Sequence, residues 1–133
     1  MRRLALLLIL SLFAVPGLTI ARVQREQLDP RIKPPVTEKY RTVQDAKDWL
    51  NPYLVVCADG VHLTAHKQTS LVPTQNLRAA LVKLPLEAWP YGRVVAVQDC
   101  SIVAPADRDR GERIAEVEAL LKPLKLMIEK WPS

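Results

Sequence analysis

Cys57 and Cys100, His62 and His66, Asp59 and Asp99, and Ser70 and Ser101 are the side chains whose chemistry reaches beyond packing. In an exported chain an even pair of cysteines reads as a disulfide, because oxidising compartments favour pairing. A Cys57–Cys100 bridge requires the two Cα atoms to lie within about 7 Å, which holds if the strands that carry them are neighbours. It would contribute roughly 3–4 kcal/mol by restricting the unfolded chain. The alternative is two unlinked buried thiols, since free cysteine is among the most buried residue types. Cys57, Cys100, His62 and His66 would together make a sensible zinc set, with the two histidines four apart on one face of a strand. The spacing lacks a C-x-x-C or a helical H-x-x-x-H, and a disulfide removes two of the four ligands. No metal and no cofactor are therefore expected.

Nucleophilic and acid–base catalysis find little support. Ser70 and Ser101 lack a Gly-x-Ser-x-Gly elbow, and Cys57 lacks the surroundings of a thiol protease nucleophile. Asp59 is needed by a turn and Asp99 ends a strand, so they are not a working carboxylate pair. Four glycines in the whole chain leave no phosphate-cradling loop. The reading is non-enzymatic; a small secreted enzyme or metal protein using the His62/His66 face is the alternative. Trp89-Pro90-Tyr91-Gly92-Arg93 is a stiffened aromatic turn beside a cation. Trp89, Tyr91 and Arg93 make a candidate binding rim, because these residue types anchor interfaces. In the competing reading Trp89 and Tyr91 plug one end of a sheet.

The elements that would position these groups centre on Tyr53–Ala65. Two apolar, β-rich runs flank Asp59-Gly60, the signal for a hairpin with a type I′ turn. That turn sets Ala58 opposite Val61, Val56 opposite Leu63 and Leu54 opposite Ala65. One face is then apolar, and Val55, Cys57, His62 and Thr64 lie on the other. Before the hairpin, Thr42 caps a short expected helix that turns Val43, Ala46, Trp49 and Leu50 inward and stops at Asn51-Pro52. After it, Leu71-Val72 reads as a short edge strand. Leu77, Ala80, Leu81 and Leu84 then mark an amphipathic helix, with Thr74 as its cap and Pro85 as its stop. Arg93–Val97 is apolar almost throughout, as in a central strand covered on both faces. A crossover loop over 99–110, with Asp107 or Asp109 as cap, leads to a second helix marked by Ile114, Val117, Leu120, Leu121 and Leu124. It carries a Glu118–Lys122 pair one turn apart, and Pro123 stops it around Leu121–Lys122. Leu126–Trp131 is a last strand. The result is an α+β two-layer sandwich: a β-hairpin, then a βαβαβ-like order, with the helices on one face of a mixed sheet.

The chain divides into residues 1–21, a Pro-rich arm over 22–41 and a small α+β domain over 42–133. Arg2 and Arg3 precede an apolar Leu4–Val15 broken by Pro16-Gly17, and Thr19-Ile20-Ala21 suits cleavage after Ala21. This reads as an export signal, with a single-pass membrane anchor over residues 4–21 as the alternative. Pro30, Pro34 and Pro35 among charges read as an extended arm with too little apolar surface to order itself. Of the net charge of +5, Arg2 and Arg3 supply two. The remaining cations alternate with acids and form no basic stripe with interleaved aromatics, so nucleic acid is not an expected partner.

The hairpin L-V-V-C-A-D-G-V-H-L, followed by V-P-T-Q-N-L-R-A-A-L, R-V-V-A-V-Q-D and the E-V-E-A-L-L helix, resembles the periplasmic domain of the ExbD/TolR biopolymer-transport family over roughly 53–131. That resemblance implies an exported domain engaging peptide or cell wall. It also implies an upstream membrane helix holding a proton-coupling carboxylate, but Leu4–Ala21 contains neither Asp nor Glu. A non-enzymatic exported or periplasmic domain that binds a protein or cell-envelope component is the expectation. A subunit of a proton-driven envelope complex is a further alternative.

Overall fold

The computed structural model describes residues 27–100 and 110–132; the expected signal or anchor over 1–21 and the crossover with its proposed caps Asp107 and Asp109 lie outside them. Seven main elements follow in order: β1 (Tyr53–Cys57), β2 (Gly60–Ala65), β3 (Gln68–Val72), α1 (Leu77–Val82), β4 (Val94–Asp99), α2 (Arg110–Leu121) and β5 (Met127–Trp131). The five strands form one sheet in the order β3-β2-β1-β4-β5. β1–β2 and β2–β3 are antiparallel, whereas β1–β4 and β4–β5 are parallel. This is the expected mixed-sheet α+β architecture.

The hairpin forms, but not around Asp59-Gly60. Cys57 pairs with Gly60 and Val56 with Val61, so Ala58 and Asp59 are the turn and Gly60 already belongs to β2. The reason is the third strand. Gly60 has φ +139°, and a Cβ there would lie 2.9 Å from the Val72 carbonyl oxygen; the glycine serves a close backbone approach. Val56 thus faces Val61 instead of Leu63, a displacement of two residues. Side chains alternate with period two, so the expected faces survive: Leu54, Val56, Val61 and Leu63 are buried together. The turn with two left-handed residues sits instead between β2 and β3, at His66 (φ 51°) and Lys67 (φ 62°), and β3 is a full strand over Gln68–Val72.

Leu77 and Leu81 of α1 and Val117 and Leu121 of α2 pack on one face of the sheet with Val95 and Val97. Thr74 makes no capping bond; a single 3-10 turn over Thr74–Asn76 leads into α1 instead. Pro123 ends α2, and the following Lys125 turns left-handed at φ 56°. The expected Glu118–Lys122 pair within this helix is replaced by Glu118 with Lys130 of β5, at 2.8 Å.

The opposite face carries Tyr40, Trp49, Tyr91, Val94 and Ala96, with Val43, Tyr53 and Trp131 against them. The cover comes from the arm and the segment after it, not from a helix. Over 42–50 there is only one 3-10 turn, Ala46–Asp48, capped by Asp45 and not Thr42. The Tyr91 hydroxyl donates to the Asp48 carbonyl and accepts from the Leu50 N–H, engaging backbone groups on either side of Trp49. Trp49 is buried as an anchor, whereas Leu50 points outward and is 58% exposed. The described part of the arm is not loose: Leu28 and Ile32 join the helix-side core and Tyr40 the aromatic face. Few apolar residues suffice because hydrogen bonds hold the intervening backbone: Val36 N–H to the Tyr91 carbonyl and Arg93 N–H to the Lys33 carbonyl.

Candidate functional site

The disulfide joins Cys57, the last residue of β1, to Cys100, the residue just after β4, with Cα atoms 4.9 Å apart. Parallel pairing brings the C-terminal ends of the two strands together, and the Cys100 N–H donates to the Val56 carbonyl at 3.1 Å. Beside the bridge, His62 Nε2 lies 3.3 Å from Asp59 Oδ1. Cys57, Asp59 and His62 have ligand-capable atoms all within 4.8 Å of one another. His66 does not belong to this group; it lies in the exposed β2–β3 turn. The four-residue set weighed and set aside in the sequence is therefore split, with Asp59 and not His66 beside Cys57 and His62. Ser70 is exposed on β3, and Ser101 lies outside the described residues.

Trp89, Tyr91 and Arg93 do not form an open rim. Trp89 is buried in the helix-side core and Tyr91 in the aromatic face, where its ring centroid lies 5.0 Å from that of Trp49 in an edge-to-face arrangement. Arg93 donates through Nε to the Ile32 carbonyl at 3.1 Å and through Nη2 to the Asp29 carbonyl at 3.3 Å, fastening the arm. The missed residue here is Asn51. Its Nδ2 donates to the carbonyls of Gly92 and Val94, each at 2.8 Å, and its Oδ1 accepts from the Tyr91 N–H at 2.7 Å. The parallel β1–β4 ladder requires a donor from position 52 to the Val94 carbonyl, and Pro52 has no N–H; the Asn51 amide supplies it. Reading Asn-Pro as a helix stop hid this role.

The sheet has two outer strands. β5 carries Glu129 and Lys130 and is followed by Pro132, whose carbonyl accepts from Gln98 Nε2 at 2.7 Å. β3 is likewise followed by a proline, Pro73, but carries no charged residue of its own: four of its five residues are exposed, and Leu71 is 52% exposed. Across the two-residue turn, Ala65 and Gln68 close the hairpin. Hydrogen-bonded and non-bonded pairs alternate in an antiparallel ladder. Gln68, Ser70 and Val72 thus bond to β2, and the N–H and C=O groups of Thr69 and Leu71 point away from the sheet.

Among the shallow grooves on the described surface, two lie near the sheet ends and the β2–β3 turn. One, of about 460 Å³, lies over Val43, Gln98, Trp131 and Pro132. The other, of about 450 Å³, is bordered by Leu50, His66, Lys67 and Glu87. Neither is lined by the disulfide group. In the arm, side-chain and backbone hydrogen bonds from Arg31 hold the Asp29 carboxyl down at about 2 from its ordinary 3.8, and burial raises the Tyr53 hydroxyl. Among the described residues no helix is long and apolar enough to cross a membrane.

No protein-family model, curated protein or solved structure matches the chain.

Proposed function

We propose that this chain is a non-enzymatic binding domain working outside the cytoplasm, either exported or held by its N-terminal segment, and that it engages a protein or cell-envelope partner by strand addition at β3. The observation that carries this reading is the β3 edge. Proteins commonly guard an outer strand with charge or proline within it or with a covering element; β3 has neither charge nor proline between Gln68 and Val72, and it offers two outward backbone pairs beside an exposed Leu71. An extended peptide laid along it would gain main-chain hydrogen bonds from Thr69 and Leu71 and apolar contact from the Leu71 side chain. The disulfide is compatible with an oxidising compartment. The mixed surface charge gives no footprint for nucleic acid.

The test is photocrosslinking in cells, with the reactive group placed at Thr69 on β3 and, for comparison, at Lys130 on β5. A specific adduct with an envelope protein at position 69, lost in Leu71→Pro, supports the reading. The proline removes an outward N–H and leaves the β2 ladder intact. A multi-span membrane protein in that adduct would favour the narrower, ExbD/TolR-like role. Adducts that form equally well with Leu71→Pro, or only at position 130, refute strand addition at β3.

A further inference from the structure

We propose that reduction of the Cys57–Cys100 disulfide converts the β1–β2 turn into a thiolate site for a zinc-class divalent cation, with Cys57, Cys100, His62 and Asp59 as its ligands. Three of the four donors are already gathered. The ligand atoms of Cys57, Asp59 and His62 lie within 4.8 Å of one another, and the His62–Asp59 pair is at 3.3 Å. Tetrahedral zinc with bonds of about 2.0–2.3 Å places its donors roughly 3.3–3.8 Å apart, so side-chain rotations suffice. Cys100 starts bonded to Cys57, and with Cα atoms 4.9 Å apart the two sulfurs can separate to that spacing without moving the strands.

The backbone holds this arrangement whether or not the bridge exists. Cys100 is kept beside β1 by its hydrogen bond to the Val56 carbonyl, and His62 is kept by its pairing with Val55. The His62 and Asp59 side chains are 37% and 58% exposed, so a cation reaches them from solvent. Two thiolates, one carboxylate and a neutral imidazole around a doubly charged cation leave a single negative charge, which solvent access makes tolerable.

The redox step balances with an ordinary thiol reductant. Two reductant thiols become one disulfide, passing two electrons and two protons to Cys57–Cys100. The resulting thiols release two protons when they bind the cation. In the oxidised form both sulfurs are committed to each other and the site does not exist. Cation occupancy therefore reports the redox state of the surroundings, and this holds independently of any partner at β3.

The experiment is a cobalt(II) titration of the full chain, oxidised and phosphine-reduced, under anaerobic conditions with far-UV circular dichroism recorded on the same samples. The reduced chain should take up one equivalent with the intense visible absorption of a tetrahedral cobalt thiolate while keeping its sheet signal. The oxidised chain should show no such band. His62→Ala and Asp59→Asn should each weaken binding at least about tenfold, since even an outer-shell partner changes metal affinity by about 10- to 100-fold. Asp59→Asn is suited to a turn position, so its loss of affinity is not a loss of fold. No band in the reduced chain overturns the proposal. So does a band with unchanged affinity in both variants, which is capture of cobalt by the thiols alone, or one that appears only with loss of the sheet signal, which is capture by an unfolded chain.

Discussion

Asn51→Ala is the most informative substitution for the fold. The amide is 2% exposed and makes three hydrogen bonds of 2.7–2.8 Å, to the Gly92 and Val94 carbonyls and from the Tyr91 N–H. The Gly92 carbonyl keeps a second donor, the Val94 N–H at 2.9 Å. The Tyr91 N–H and the Val94 carbonyl are left buried, because Pro52 cannot serve as substitute donor. Each orphaned buried group costs about 1–3 kcal/mol, so the substitution should remove roughly 2–6 kcal/mol. For a domain of about 100 residues each kcal/mol moves Tm by about 4–8 °C, which places the expected fall at about 8 °C or more in thermal unfolding followed by circular dichroism. Asn51→Asp sharpens the test. It preserves shape and the acceptor for Tyr91, but it sets a carboxylate against two carbonyl oxygens in a buried site. It should be at least as destabilising as alanine at neutral pH. A Tm within about 2 °C of wild type for either variant would refute the claim that this amide completes the β1–β4 ladder.

Other outcomes follow from the same geometry. Gly92→Ala should fail to fold or lose more than about 3 kcal/mol in urea unfolding, because φ is +84° and the new Cβ would overlap the Pro34 carbonyl and lie 2.7 Å from that of Lys33. Breaking the bridge by Cys57→Ser with Cys100→Ser opens a loop closed across a separation of 43 residues and should cost about 4 kcal/mol in the same assay. Leu81→Ala in α1, where the side chain is fully buried, should cost about 2–5 kcal/mol, against less than about 0.5 kcal/mol for the exposed Leu71→Lys. Asp29, with its carboxyl held at about 2, favours the folded arm when ionised. That contribution is complete above its ordinary 3.8 and is lost as pH falls through about 2. The Arg31 guanidinium resonances should report a midpoint near the lower value, and a midpoint at the ordinary one would show the pair is not formed.

Local chemistry alone determined much of this protein. Alternating apolar residues in Tyr53–Ala65, the buried run of β4 and the i, i+3, i+4 pattern of the two helices dictate strands and helices through the periodicity of burial. The two cysteines near the same ends of β1 and β4 made their bridge legible once those strands were taken as neighbours. The hairpin register was not legible, because Gly60 answers to a contact with Val72 from a third strand and not to its own turn. Nor was the second face of the sheet. Val94 and Ala96 require cover that two helices on the other side cannot give, and that cover comes from Tyr40, Trp49 and a proline-rich arm whose residues look solvated one at a time. Trp89, Tyr91 and Arg93 admit two readings in sequence, a binding rim or a plug for the sheet, because aromatic and cationic residues serve interfaces and cores alike. Tertiary structure decides between them, here by burying both rings and turning the guanidinium onto the arm. Asp59 replaces His66 beside His62 for the same reason: which polar groups meet depends on where the chain turns, and that is settled by packing across the whole sheet.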